Sequence, residues 1–347
     1  MSLLFIELCA GTAALSLRLH GGKRARPPVS RMGAKTGYAS AILRIMGLRA
    51  GYDRADHYVW CEPDPGCRLL LEAYRSRELA TQAAEVIRGW ADEEPRALWE
   101  RLRAEGPVKS TQPREVAKRV IIQNWCIRGD SGYCGPGKVA KSGAVPQSAT
   151  YTPAILAARL DRFQHLPILP SSIEASAEAV DPREVARWIQ IVSSNRLINM
   201  GSDWMNTGEG GTCFGGDFAT PTARILRALH SLPQMPAELL TDGQALTPPR
   251  LPAGVRVVVY IDPPYLNTTG YQHDLSREAV IQLARAWDEV GADVYISEAE
   301  AIPLGWHTTD ITDTRVGQKR TFSKQQREIL THNRAPQWTP PRQESLW

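Results

Sequence analysis

Residues 255–265 read VRVVVYIDPPY: five consecutive apolar or aromatic β-formers, 257–261, followed at once by a carboxylate, two prolines and a tyrosine. A strand without polar alternation is buried on both faces, which places it inside a parallel sheet flanked by helices. Proline cannot donate to a strand ladder, so Pro263 and Pro264 end the strand and leave Asp262 at its carboxyl edge. A hairpin would carry Asn-Gly or Asp-Gly here, so the turn has another purpose.

The rest of the chain repeats the alternation that a parallel sheet requires. LLFIEL (3–8) and HYVWCE (57–62) read as strands, with helical text at 14–20 and 34–47. A helix follows the central strand from about Ser276 to Val290 and stops at Gly291, and DVYIS (293–297) reads as the next strand. The expectation is an α/β, doubly wound, mostly parallel Rossmann-like sheet. It is split between residues 1–75 and 250–335 around an inserted region, 76–249, with a loose Pro-rich tail at 336–347. The inserted region contains helical text at 76–105, a basic helix PREVAKRVIIQNW, and two glycine-rich stretches, RGDSGYCGPGK and MGSDWMNTGEGG. Thr152-Pro153, Asp181-Pro182 and Thr220-Pro221 each place a capping side chain before a proline suited to a first helical turn.

At 347 residues and 43% hydrophobic content the chain can bury a proper core. No window resembles a membrane span, and MSLLFIELCAG lacks the basic start of a signal peptide, so a cytoplasmic protein with no membrane partner is expected. The six cysteines form no CxxC pair or zinc spacing, which points to structural thiols and no metal. Net charge is +4, but residues 101–170 carry eleven Lys or Arg against four acids, leaving −3 elsewhere. Such a basic segment suits phosphate contacts, or is simply a solvated basic face.

Two clusters carry chemistry. In FIELCAGTAALSL the small residues Cys9, Ala10, Gly11, Thr12 and Ala13 let the backbone approach a ligand beyond a strand end, where such sheets bind ligands. GxGxxG is absent, and Glu7 beside the turn suits a cation better than phosphate. Glu62, at the end of the second strand, is placed to accept from ribose hydroxyls. An acid for an amine and an acid for a ribose together describe S-adenosylmethionine.

The second cluster is the Asp-Pro-Pro-Tyr turn. An exocyclic aromatic amine is a poor nucleophile because its lone pair is delocalised into the ring. Acceptors on its protons, the Asp262 carboxylate and the Pro263 carbonyl, would aim that lone pair at a methyl donor. Tyr265 offers a face on which an extruded base can stack.

YIDPPYLNTTGY, with Gly270 and Tyr271, resembles the signature of the Dam-like DNA adenine-N6 methyltransferases. FIELCAGTAAL is similar to that family's S-adenosylmethionine motif, VYISEAEAIP (294–303) to its next strand through Ser297 and Glu298, and RTFSKQQREILTHN (320–333) to its C-terminal segment. The resemblance covers the two outer blocks. It implies that Asp262, Pro263 and Tyr265 act on the target amine, and that Pro264 and Tyr271 contact the substrate. The residues bordering the cofactor would be Glu7, Cys9, Ala10, Gly11, Thr12, Ala13, Lys35, Glu62 and Asp262. Two departures stand out. The family's Gly-Gly-Lys element precedes its first motif, whereas Gly33 and Lys35 follow it here, and Ala13 occupies a position where glycine is commoner.

The resemblance also implies that the middle region selects a site on double-stranded DNA, by a monomer or weak dimer. Tyr133 and Trp204 lie in its loops, and Arg128, Lys138 and Lys141 flank the first glycine-rich loop as candidate phosphate contacts. Alternatives are methylation of cytosine N4 or of RNA, and a DNA-binding relative that has lost catalysis. Protein glutamine methylation is disfavoured by Asp at 262 where those enzymes carry Asn. Attack at cytosine carbon is excluded because no Pro-Cys dipeptide occurs.

Overall fold

A computed structural model describes residues 2–29, 35–107, 110–128, 131–136, 151–165, 168, 171–198, 249–265, 275–316 and 327–340. Its strands are β1 (Ser2–Leu8), β2 (His57–Cys61), β3 (Cys126–Arg128), β4 (Ser131–Tyr133), β5 (Ser171–Glu174), β6 (Val255–Ile261), β7 (Asp293–Glu298), β8 (His307–Asp310) and β9 (Ile329–His332). Seven of them form one sheet in the order β5-β2-β1-β6-β7-β9-β8. The first five in that order are parallel, and β9 runs antiparallel between β7 and β8.

The apolar run that defined β6 behaves as expected of a central strand. Val257, Val259 and Ile261 face one side with Leu4, Ile6 and Leu8, while Val258 and Tyr260 face the other with Phe5, Tyr58 and Trp60. Helices cover both sides. On the first lie α8 (Pro182–Ile198) and α9 (Arg277–Glu289), through Val185, Ala186, Val280, Ala284 and Trp287. On the second lie α1 (Ala14–Gly21), α2 (Ala39–Ile45), α3 (Pro65–Arg75), α4 (Arg77–Gly89), α5 (Pro95–Ala104), α6 (Pro113–Asn124) and α7 (Pro153–His165). Starts follow local chemistry: Asp64 and Ser276 accept from the first-turn amides of α3 and α9, and Pro153 and Pro182 open α7 and α8. Thr220-Pro221 lies outside the described residues.

Three expectations change. Residues 171–174, placed within an insertion, form the edge strand beside β2, and helices α3 to α7 share one apolar cluster with β1 and β2. The described part of 76–249 is thus continuous with the sheet domain. Ser171-Ser172-Ile173-Glu174 has no apolar alternation to announce a strand. Its buried hydroxyls are satisfied internally, Ser171 Oγ donating to the Ile168 carbonyl and Ser172 Oγ pairing with His57 Nε2 at 2.7 Å. The first glycine-rich stretch supplies β4, which pairs antiparallel with β3 at its start, and Tyr133 packs on Trp99 with ring centroids 5.5 Å apart. The C-terminal segment is tied down over its described part: Gln337 N donates to Ile45 O at 3.0 Å, and Arg44 lies over the Trp338 ring.

Following the chain, β1, β2 and β5 step outward in one direction, whereas β6 and β7 step outward in the other. The switch point therefore lies between β1 and β6, whose carboxyl ends diverge into two loops, the place where open α/β sheets form a ligand crevice.

Candidate active site at the switch point

The loop after β1 passes through left-handed backbone three times, at Cys9 (φ 60°), Gly11 (φ 55°) and Ala13 (φ 48°). For the two residues with a Cβ this costs about 1–2 kcal/mol each, and such strain persists only where surrounding bonds over-determine it. Here Ala10 N donates to Cys61 O at 2.8 Å, Ala13 N to Ala10 O at 2.7 Å, and Gly11 N to Glu62 Oε2 at 2.6 Å. A Cβ placed on Gly11 would meet nothing within 4 Å, so this part of the turn faces open space. Thr12 is buried beneath it. Burial pushes the Cys9 thiol well above its usual range, which makes it an inert wall rather than a nucleophile.

Ala13 cannot cap α1 with its side chain, and the strand does so instead: Glu7 Oε1 accepts from Ser16 N at 2.7 Å. At 2% exposure, Glu7 is pushed up to about 7, chiefly by burial; hydrogen bonds from Ser16 oppose the shift and the neighbouring Asp262 charge adds to it. The residue read as a partner for a ligand's cation thus already serves the helix start with one oxygen. Glu62 is buried and bridges two loops, accepting from Gly11 N and, at 3.0 Å, from Asp64 N. Glu62, Asp64 and Cys67 lie close enough to suggest a cation site. Asp64, however, caps α3 through Gly66 N and Cys67 N, and its second oxygen faces the Arg119 guanidinium at 2.9 Å. That positive neighbour makes the trio a satisfied helix cap.

The Asp-Pro-Pro-Tyr turn lies across the crevice. Asp262 N continues the ladder to Leu8 O at 3.3 Å, Pro263 is buried, and Pro264 and Tyr265 are partly exposed. The Asp262 side chain is one-fifth exposed, and its Oδ1 stands 2.7 Å from Lys35 Nζ. Its pKa rises to about 6: burial is the main cause, the Lys35 ammonium pulls it down, and the Glu328 charge pushes it up. Lys35 is itself buried, 3.7 Å from Glu328 Oε1, with its Nζ 4.5 Å from the centre of the Tyr265 ring. The Tyr265 hydroxyl donates to Glu328 Oε1.

Lys35 therefore reaches the Asp262 turn although it follows the first motif in the chain. A single turn of 3-10 helix, Lys35–Gly37, holds it, clasped by Val316 N donating to Gly37 O at 3.0 Å. Glu328 was missed in the sequence. It precedes the apolar ILTH of β9, and because β9 is antiparallel its first residue, Ile329, pairs with Glu298 at the carboxyl end of β7. Only that strand direction carries Glu328 into the site. Glu298 is buried nearby, and Ser297 Oγ accepts from Tyr260 OH at 2.7 Å.

Lys138, Lys141, Trp204, Gly33 and Tyr271 lie outside the described residues, and Arg128 is placed through its backbone alone, opposite Ser131 in the hairpin. The basic segment is less bare than its composition implies: Arg101 faces Glu93, Arg114 faces Glu105, Lys118 lies between Glu105 and Glu115, and Arg119 faces Asp64. Among the described residues no helix is long and apolar enough to cross a membrane. No protein-family model matches the chain and no curated protein aligns with it, so geometry and the motif resemblance carry the functional reading.

Proposed function

We propose that the chain is an S-adenosylmethionine-dependent methyltransferase that acts on an exocyclic base amine, adenine N6 in double-stranded DNA, with Asp262 as the group that receives the amine. One observation carries this reading. At the switch point, Asp262 Oδ1 already accepts from a nitrogen, Lys35 Nζ at 2.7 Å, beside an aromatic ring and within the Asp-Pro-Pro-Tyr turn.

The residues suit the cofactor. A turn held in left-handed backbone leaves open space beside Gly11, Glu62 places a buried carboxylate against that turn, and Asp262 brings a carboxylate to the crevice from the other strand end. S-adenosylmethionine, when bound, supplies a methyl carbon on a sulfonium, so a C–N bond forms as the C–S bond breaks and its electron pair stays on sulfur. The protein's part is orientation. Asp262 and the Pro263 carbonyl accept the two amine protons and turn the nitrogen lone pair out of the ring plane. Tyr265 stacks the extruded base on the face away from Lys35, a contact worth about 1–3 kcal/mol against a similar cost of unstacking. With its pKa raised to about 6, Asp262 can take the proton released from the amine and pass it to solvent near neutral pH.

Methylation-sensitive long-read sequencing of DNA from cells expressing the chain tests this. Modified adenine at a recurring sequence is expected, and none with Asp262→Ala; modified cytosine instead would move the substrate to the N4 amine.

A further inference from the structure

Lys35 occupies a peculiar position for a site that must admit a neutral amine. Its Nζ stands 2.7 Å from Asp262 Oδ1, where an amine proton of the target base would be received, and 3.7 Å from Glu328 Oε1. The three side chains are largely buried, at 4% for Lys35, 20% for Asp262 and 6% for Glu328. Lys35 and a target base cannot both use that oxygen in the same direction. When the amine arrives the ammonium must move, and a buried cation stripped of its carboxylate would be strongly destabilised.

Resting on the methyltransferase reading, we infer that Lys35 is a cation shared between two carboxylates: it holds Asp262 as a stand-in for the substrate amine, and transfers to Glu328 when the base enters. Glu328 is then a positioning residue for the reaction, acting through Lys35 rather than on the base. The geometry supports the transfer. The Lys35 backbone is fixed, its carbonyl accepting from Tyr38 N at 2.8 Å and the same turn being clasped at Gly37. The four-carbon stem can carry the ammonium toward the other carboxylate by rotamer changes alone. Glu328 is held as well: its backbone N donates to Thr312 Oγ1 at 2.9 Å, and its carbonyl accepts from Ile311 N at 2.9 Å. The ammonium already lies over the Tyr265 ring, whose hydroxyl donates to the same Glu328 oxygen, so the path stays cushioned by a π-face.

The competing account is that Glu328 merely anchors Tyr265. A double-mutant cycle on the full chain separates the two, read as kcat at saturating DNA and S-adenosylmethionine. Base entry follows DNA binding, so competition with Lys35 is internal and more substrate cannot relieve it. Glu328→Gln removes the second carboxylate beside the ammonium and biases it toward Asp262, and kcat should fall about tenfold, as expected if Asp262 is released in about a tenth of molecules. Adding Lys35→Met to Glu328→Gln removes the competing cation and restores the wild-type net charge of the trio, and it should raise kcat severalfold above Glu328→Gln alone. A merely anchoring Glu328 gives no such rescue, because Lys35→Met does not restore the lost Tyr265 bond. A double variant no faster than Glu328→Gln overturns the inference while wild-type transfer leaves the methyltransferase reading intact. No transfer by folded wild-type protein overturns both. Melting curves verify folding; if Glu328→Gln does not fold, Glu328→Asp, one methylene short, takes its place in the cycle with the same expected rescue.

Discussion

Two carboxyl groups, Glu7 and Asp262, are held above their ordinary pKa by burial at the crevice, and this has a consequence for stability. A carboxyl that binds its proton more tightly when folded stabilises the fold at low pH and loses that contribution as pH rises through the folded value. For Glu7 the window runs from 4.5 to about 7, and the shift corresponds to about 3 kcal/mol in order of magnitude. Glu7→Gln keeps an acceptor for Ser16 N without the charge. Urea unfolding from pH 4.5 to 8 should show wild-type stability falling across this window and the variant's curve markedly flatter; parallel curves would contradict the assignment. Among residues, Asp262, Tyr265 and Lys35 were legible from motif and resemblance, and the structure brings them together. Glu328 was not, because QREILTH carries no mark of strand direction, and direction alone brings the residue just before β9 to the site. Glu7 was read as a ligand partner because its use by Ser16 follows from Ala13 lacking a capping side chain, a deficiency that matters only once the helix start is known.

The turn joining β1 to α1 concentrates strain where the ligand would lie. Gly11→Ala forces a Cβ into φ +55° with no clash, so the cost is backbone strain of about 1 kcal/mol. The added methyl also projects into the open space where the cofactor is proposed to lie. Calorimetric titration should show cofactor binding weakened by more than the stability loss explains, whereas unchanged affinity would remove the turn from the cofactor site. Helix α9 offers a contrasting test far from the chemistry. Trp287 is fully buried against the sheet, and Trp287→Ala should cost about 3–5 kcal/mol in denaturant unfolding while the folded fraction keeps its kcat. Strands with long apolar runs, such as β1, β6 and β7, were readable from sequence, as was α9 from its 3.6-residue period. The short strands β5 and β8 were not: SSIE and HTTD are polar, and their pairing depends on a neighbouring strand already in place.

Winding the sheet in two directions from β1 and β6 brings Glu7, Glu62, Asp262 and Glu328 to one sheet edge, although Glu7 and Glu328 are separated by nearly the full length of the chain. The basic segment 101–170 is partly neutralised within the fold. The basic excess of 101–170 suggested a phosphate-binding face, yet Arg101 and Arg114 already face acids and gain little from phosphate. DNA affinity should fall steeply with salt, and Lys138→Ala or Lys141→Ala should each lower the slope of log K against log salt by about 1. Arg101→Ala should leave the slope unchanged. Equal effects from all three would place the contacts elsewhere. The most direct test of the central claim is transfer of a labelled methyl group from S-adenosylmethionine to duplex DNA by purified protein, with the product nucleosides separated. Label in N6-methyl-2′-deoxyadenosine with wild type, and a loss of at least about a hundredfold in Asp262→Ala, is the predicted result. Undiminished transfer by Asp262→Ala, or none by the folded wild type bound to DNA, would contradict it.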